Sequence, residues 1–167
     1  MASTEFWQRG PIEGVPLLLQ PVAHILLQVR ESVGEMTAGL TEEEWNRRPD
    51  NVASVAFHIR HISGSVDRLF TYARGEQLSE AQRATIPHEG DHLASAEVAG
   101  ALQLLSDRID ASIAELKRID PATLGDFRGV GRANLPSTVI GCLVHAAEHA
   151  MRHVGQVSVT ARVVRSR

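Results

Sequence analysis

The sequence contains a single cysteine, Cys142, among 167 residues. One thiol excludes a disulfide framework within the chain and is typical of proteins that work in a reducing cytoplasm. The N-terminus lacks the basic-then-apolar pattern of a signal peptide. The longest apolar run, residues 15–29, is too short to cross a membrane, and it is interrupted by Pro16, Gln20, Pro21 and His24. We therefore expect a soluble cytoplasmic protein with no membrane partner.

Neither sign of charge dominates the chain. Seventeen lysines and arginines face 20 aspartates and glutamates, which gives a net charge of −3 and a pI near 6.2. Proteins that bind nucleic acid usually carry a strongly basic surface, so we expect no nucleic-acid partner. The sequence also lacks a phosphate-binding glycine loop and a Gly-x-Ser-x-Gly nucleophile motif. These absences leave the eight histidines as the main source of chemistry.

Aromatic residues make up only 4% of the chain, and β-branched residues do not form alternating runs. Residues that favour helices, such as alanine, leucine and glutamate, are plentiful. We interpret the protein as all-α. A chain of this length with 43% hydrophobic residues suits one well-buried domain, here residues 1–167. Residues 1–14 contain Gly10, Pro11 and Gly14 without periodicity, and are expected to form an irregular N-terminal arm.

Apolar residues at helical spacing predict four long amphipathic helices. Thr41 and Glu44 form a capping-box signature that predicts one short helical turn between the first two. The segments of residues 76–91 and 123–133 are predicted as connections. The four helices are predicted to begin at Pro16 or Pro21, at a cap formed by Asp50, Asn51 or Ser54, near Ser95, and at Asn134 or Ser137, and to end near Gly39, Gly75, Ile119 and Val164. This pattern favours a four-helix bundle with long connections.

Three histidines, His145, His149 and His153, follow one another at intervals of four residues on the last predicted helix. At roughly 100° per residue they share one flank, with His153 nearest the apolar stripe and His145 nearest solvent. On the second long helix His58 lies close to the apolar stripe and His61 lies at its edge. Position on the helix alone does not decide which of these two faces the last helix.

Three neutral imidazoles that converge from two helices would suit Zn²⁺, Ni²⁺ or Fe²⁺. Such a set leaves coordination positions for water or substrate, as catalytic rather than structural metal sites do. The alternative is that these histidines are solvated or hydrogen-bonded side chains without a metal. Cys142 is interpreted as a small core residue and His24 as a buried, hydrogen-bonded one.

Two competing patterns occur near these histidines. Residues 145–149 fit the His-x-x-Glu-His motif of inverted zinc peptidases, in which Glu148 would be the base. Those enzymes take a further acidic ligand downstream, and no acidic residue follows His149, so this reading is a minor one. Asp126, Arg128 and Arg132 lie in the predicted loop before the last helix. They are either a solvated loop or, if the loop closes over the bundle, a binding site for an anionic substrate.

Three segments of the sequence resemble the DinB/YfiT-like family. They are residues 39–49 (GLTEEEWNRRP), residues 54–62 (SVAFHIRHI) and residues 145–156 (HAAEHAMRHVGQ). The resemblance implies a four-helix bundle, often a homodimer, with a divalent metal on His61, His149 and His153. Many relatives carry a histidine or arginine directly before Gly-Gln, where this chain has Val154, which puts any supporting role of that position in doubt.

The family includes transferases that use low-molecular-weight thiols such as bacillithiol or mycothiol, and a maleylpyruvate isomerase. The resemblance therefore implies a metal-dependent enzyme of thiol-transferase or hydrolase-like type acting on an electrophilic small molecule. No catalytic residue beyond the ligands is assigned. The alternative is a non-catalytic metal-binding or stress-response bundle in which the metal stabilises the fold or a dimer. A purely structural bundle with unliganded histidines is a third hypothesis.

Overall fold

A computed structural model describes residues 4–166 as helices joined by long connections and one β-hairpin. The helices are α1 (Gln20–Thr37), α2 (Glu42–Asn46), α3 (Val55–Ala73), α4 (Glu80–Thr85), α5 (Ser95–Leu116) and α6 (Val139–Arg165), and the strands are β1 (Phe127–Val130) and β2 (Leu135–Thr138). Short 3-10 turns lie at Phe6–Gln8, Leu17–Leu19, Pro49–Asn51, Ile86–His88 and Pro121–Thr123. The all-α prediction is confirmed. None of the helices within residues 4–166 is long and apolar enough to span a membrane.

The four long helices form a bundle in which α3 and α1 occupy opposite corners, since each packs against both α5 and α6. Ion pairs from Asp67 to Arg108 and from Arg74 to Glu115 follow α3 and α5 in the same chain direction, so these two helices are parallel. Arg165 binds the carbonyl of Ala38, which brings together the C-terminal ends of α6 and α1. The bundle therefore runs up, down, down, up, with a long crossover (residues 74–94) between α3 and α5.

Helix ends follow the capping signals of the sequence. The Thr41 side chain accepts from the Glu44 backbone and the Glu44 side chain accepts from Thr41, as the predicted capping box requires. Of the three predicted caps for α3, Ser54 is the one that accepts from the backbone of Phe57. After α3, Gly75 adopts a φ of +79°, a left-handed conformation that glycine allows without steric cost.

Residues of all four long helices build the core, with Trp45 of α2 packed against them. Burying one such leucine or isoleucine side chain contributes about 1.5–3 kcal/mol. The largest fully buried side chains on these helices include Leu26, Val29, Ile59, Ile62, Leu105, Ile109, Leu116 and Leu143. These residues hold the backbones of α3 and α6 in register, and that register positions the histidines.

The predicted loop before the last helix is wrong in one respect, because a β-hairpin occupies residues 127–138. Asn134 turns the chain with a φ of +50°, and a Cβ at Gly129 would lie 1.6 Å from the Asn134 side chain. The last helix begins at Val139 rather than at Asn134 or Ser137. Pro136 disfavours helical conformation at Leu135, and Thr138 caps α6 by accepting from the backbone of Gly141.

Two further boundaries differ from the prediction. The segment of residues 76–91 holds the short helix α4, which a Ser79–Gln82 capping box begins without any apolar stripe. The third long helix ends at Leu116 rather than Ile119. Within the N-terminal arm, residues 4–14 are irregular apart from one 3-10 turn, and residues 1–3 lie outside the described part of the chain. The single domain over residues 1–167 stays a prediction.

Glu42 ties α2 to the start of α5, and this contact predicts a pH-dependent contribution to stability. Its carboxylate accepts from the backbone of Ser95 at 2.7 Å and from His92 at 2.9 Å. The Ser95 hydrogen bonds foremost, together with His92, lower the pKa of Glu42 from 4.5 to about 2. Because the folded-state pKa is the lower one, the stabilisation is full above pH 4.5 and is lost as pH falls through about 2.

We therefore expect Glu42→Gln to unfold at lower urea concentration than the unmodified protein at pH 7. The difference should shrink as pH falls from about 4.5 to about 2, because the wild-type carboxylate is then protonated too. The measurement is the urea midpoint at several pH values. Glu43→Gln, at the neighbouring exposed position, is the control. A constant difference across this range would contradict the prediction.

Candidate metal centre

Three imidazoles meet between α3 and α6. One nitrogen from each of His61, His149 and His153 can be chosen so that all three lie within 4.8 Å of one another. The spacing of four residues places His149 and His153 on one face of α6. Antiparallel packing then brings His61 of α3 level with them. The structure thus brings together the three residues that the resemblance implied, and their role as ligands stays a prediction.

A fourth histidine, His58, lies beside the cluster without belonging to it. Its side chain is buried, as its place near the apolar stripe predicted, and its Nδ1 lies 2.9 Å from Nδ1 of His153. One of these two nitrogens donates and the other accepts. When His153 is the donor, its Nε2 carries a free lone pair for a metal. His58 therefore contacts a proposed ligand, whereas His61 supplies the nitrogen nearest the other two.

Glu89 is a residue of the site that sequence reasoning missed. It lies in the crossover, yet its side chain is buried, and its Oε2 accepts from Nδ1 of His61 at 2.7 Å. Arg68 pairs with its other oxygen at 2.9 Å. Burial opposes the charged carboxylate, but the hydrogen bond from His61 and the charge of Arg68 hold the pKa of Glu89 below its ordinary value. No periodic signal marks Glu89, because a single acid in a polar connection looks like any solvated residue.

The hydrogen bonds assign the proton on His61. An ionised carboxylate only accepts, so Nδ1 of His61 carries a hydrogen, and in the neutral ring Nε2 then carries the lone pair. That Nε2 lies 2.9 Å from Nε2 of His149, which must then be the donor. The Nδ1 of His149 is buried and has no hydrogen-bond partner among residues 4–166.

The donor set fits a divalent ion. The contact between Nε2 of His61 and Nε2 of His149 needs a donated proton, and a cation bound by both nitrogens would replace that hydrogen bond. Metal-binding histidines also usually donate their second ring N–H to a carboxylate or carbonyl, as His61 does to Glu89. His61, His149 and His153 are therefore the residues that would hold the ion.

Burial favours the neutral form of His58, His149 and His153. Burial foremost, and then the charge of neighbouring histidines, lowers the pKa of His58 to about 4 and that of His153 to about 4. The pKa of His149 also lies below its ordinary value, first because of burial and then because of His61. Near neutral pH these rings are unprotonated, which is the form that binds a metal.

The surroundings of the cluster differ between its two sides. The ring of Phe57 stacks on His61, with centroids 5.3 Å apart and planes inclined by 12°. The side chain of His61 is still 21% exposed, so a small molecule can approach the cluster. His145 lies at this exposed side, and its ring centroid is 5.4 Å from that of His149. Its exposed position on the flank was predicted from the helical spacing.

The zinc-peptidase reading of residues 145–149 is wrong. Glu148, which would be the base, is half-exposed and binds Arg152 through both of its oxygens. The Arg152 guanidinium lowers the pKa of Glu148. Because His145 and Glu148 lie toward solvent rather than at the cluster of His61, His149 and His153, the motif letters do not form a peptidase site.

Arg128, one of the two arginines of the predicted loop, also lies away from the histidines. Arg128 donates to the carbonyl of Ala73 at the end of α3, about 18 Å along the helix axis from His61 at 1.5 Å per residue. It therefore joins the hairpin to the bundle end and does not hold a substrate at the cluster. Cys142 is 1% exposed and lies in the core, as predicted.

Two other polar residues lie outside the cluster. His24 is half-buried rather than buried, and its Nε2 lies 2.9 Å from the carbonyl of Gly10. Gln156, the last residue of the third segment that resembles the family, is exposed. Neither side chain is part of the cluster.

Comparisons with known proteins agree with the fold. A family model described as the DinB superfamily matches residues 25–157, a span that includes the whole histidine cluster. A crystal structure described as that of a conserved protein from Enterococcus faecalis superposes with a TM-score of 0.73. It covers 90% of this chain and 98% of its own, at 23% sequence identity, and so shows the fold alone. Comparison with curated proteins gave no match.

The cluster predicts that His149→Ala weakens binding of Zn²⁺ while His145→Ala leaves it nearly unchanged. Loss of a ligand should cost more than the roughly 10–100-fold that loss of an outer hydrogen-bond partner costs. Calorimetric titration of the metal-free protein with Zn²⁺ measures both affinity and stoichiometry. His145 is the matched control because it lies one turn from His149 on the same helix, at the exposed edge. Equal affinities for the two variants would contradict the assignment.

Proposed function

The chain belongs to the DinB superfamily, and on that premise we propose that it is a divalent-metal-dependent enzyme of thiol-transferase type. His61, His149 and His153 would hold the ion, with Zn²⁺, Ni²⁺ and Fe²⁺ all compatible with imidazole ligands. The substrates would be a low-molecular-weight thiol and an electrophilic small molecule. The homodimer that the family resemblance implies is part of the same proposal.

The observation that carries the proposal is the convergence of three imidazole nitrogens within 4.8 Å at a partly exposed site. Structural zinc sites are usually closed by four protein ligands, whereas catalytic ones keep a position for water or substrate. Here three histidines form the set among residues 4–166. The arrangement therefore supports an open centre more than a closed one.

Each residue around the centre has a distinct task. The three histidines supply imidazole nitrogens, and Glu89 holds His61 in one orientation. Phe57 covers one face of His61 and excludes water from that side. A divalent ion bound there would lower the pKa of a thiol and so supply a thiolate near neutral pH.

The proposed transfer balances without an oxidant or reductant. The thiol sulfur forms a bond to the electrophilic carbon, and the leaving group departs with the electron pair of the bond that breaks. The thiol proton passes to the leaving group or to solvent. A reducing cytoplasm, expected from the single Cys142, would supply such thiols. No general acid or base is assigned to the chain.

A second candidate function is a non-catalytic metal-binding bundle. The cluster joins α3 to α6, so an ion there would cross-link two core helices and stabilise the folded chain. In both functions metal binds the native state alone, which raises stability by about 2.7 kcal/mol at a metal concentration 100 times Kd. Both proposed functions therefore predict stabilisation by metal, and only the enzyme predicts turnover of a thiol and an electrophile.

We expect saturating metal to raise the Tm by about 5–10 °C, since about 1 kcal/mol shifts the Tm of a domain this size by about 2–4 °C. We also expect a metal-loaded preparation to consume a thiol and an electrophile together, and His149→Ala to abolish that turnover. The measurements are differential scanning calorimetry with and without chelator, and a screen of thiols and electrophiles with each of the three metals.

The control is His145→Ala, which should retain both the Tm shift and turnover. Metal stabilisation without turnover of any thiol–electrophile pair would favour the non-catalytic bundle. Extensively dialysed wild-type protein that takes up no divalent metal would contradict both functions.

A further inference from the structure

A buried ion pair between Glu89 and Arg68 contacts His61, one of the three histidines of the cluster. Glu89 is 6% exposed, its Oε2 accepts from Nδ1 of His61 at 2.7 Å, and its Oε1 lies 2.9 Å from Arg68. Burying a carboxylate is costly unless it is paired and hydrogen-bonded. Here Oε2 is hydrogen-bonded to His61, whereas Oε1 is ion-paired with Arg68 and has no hydrogen-bond partner among residues 4–166. The arrangement is a chain of contacts from Arg68 through Glu89 to the metal-facing ring of His61.

Gly64 leaves space on the surface of α3 for this ion pair. A Cβ at Gly64 would lie 2.7 Å from a terminal nitrogen of Arg68 and 2.8 Å from Oε1 of Glu89. Both distances are shorter than side chains tolerate. Gly64 lies between His61 and Arg68 at helical spacing, so the three positions share one face of α3. The missing side chain lets Glu89 lie against the helix and reach His61.

The crossover that carries Glu89 is fixed at several points. Arg60 of α3 donates to the carbonyls of Asp91 and His92. Asn46 of α2 binds both the backbone N–H and the carbonyl of Leu93. These bonds hold the segment next to Glu89 against two helices. Glu89 therefore lies next to a segment that hydrogen bonds tie to α2 and α3.

We propose that Glu89, held by Arg68 over Gly64, is a positioning residue that fixes the tautomer and orientation of His61 and thereby sets the affinity of the centre for metal. The carboxylate accepts from Nδ1–H, which leaves the lone pair on Nε2, the nitrogen that faces His149. This inference rests on the proposed metal centre. It assigns Glu89 no contact with substrate.

The test compares Glu89→Gln with Glu115→Gln. An amide keeps the shape of Glu89, but its NH₂ group must face either Arg68 or Nδ1 of His61, and both are donors. We expect Zn²⁺ affinity to fall about 10–100-fold, as it does when an outer partner of a metal-binding histidine is lost. Glu115 is the control because it also pairs with an α3 arginine, Arg74, but about 20 Å along the helix from His61.

A second variant leaves the charges in place. Gly64→Ala should displace the Arg68 and Glu89 termini from His61 and lower Zn²⁺ affinity in the same direction. Alanine favours helix more than glycine, so thermal stability should not fall. The control is Gly34→Ala in α1, where a Cβ would meet nothing within 4 Å. If Gly64→Ala lowers Zn²⁺ affinity but not thermal stability, the loss comes from the displaced Glu89 and not from a folding defect.

A spectroscopic readout needs no metal. The ¹⁵N shifts of His61 in the metal-free wild type should show the Nδ1–H tautomer, and Glu89→Gln should show a mixture of tautomers. Wild-type affinity in Glu89→Gln, or an equal loss in Glu115→Gln, would overturn the positioning role while leaving the proposed function standing. If the wild type bound no Zn²⁺, the proposed function would fail, and an unchanged tautomer in Glu89→Gln would separately overturn the hydrogen-bond assignment.

Discussion

Antiparallel packing of α3 against α6 is the constraint on which the histidine cluster depends. Two pairs of imidazoles meet across this interface, His58 with His153 and His61 with His149. Each contact exists only because apolar side chains on the same two helices fix their register. A shift of one residue along either helix would rotate its histidines by roughly 100° and disperse the cluster. The core therefore determines the chemistry that the site can perform.

Burial favours neutral imidazoles at His58, His149 and His153, and the carboxylate of Glu89 orients His61. Burial in the bundle lowers the pKa of His58 and His153, so these imidazoles are unprotonated near neutral pH. The same burial would disfavour a charged Glu89, but Arg68 and His61 compensate it. The site thus combines neutral rings at His149 and His153 with the carboxylate of Glu89, which pairs with Arg68 and accepts from His61. Neutral His149 and His153 suit capture of a cation at neutral pH, because neither has to release a proton first.

Helix direction explains why the acid comes from a connection. Since α3 and α5 are parallel, the chain must travel back along the bundle between them, and residues 74–94 pass the histidines on the way. This passage brings Glu89 to His61 and covers one side of the cluster. An up-down bundle with a short turn after α3 would have no such segment. The crossover that the topology requires is therefore also part of the site.

The sequence by itself determined the four long helices, the capping box of Thr41 and Glu44, and the flank shared by His149 and His153, because these depend on local spacing and capping chemistry. Resemblance to a family, rather than spacing, favoured His61 over His58. Only the tertiary structure decided that His58 contacts His153, that Glu148 and Arg128 lie away from the cluster, and that Glu89 supports His61. The hairpin and α4 were also missed, since a proline-bearing strand and a short polar helix carry no apolar stripe. Contacts between residues far apart in the chain leave no periodic trace, and the packing of helices alone creates them.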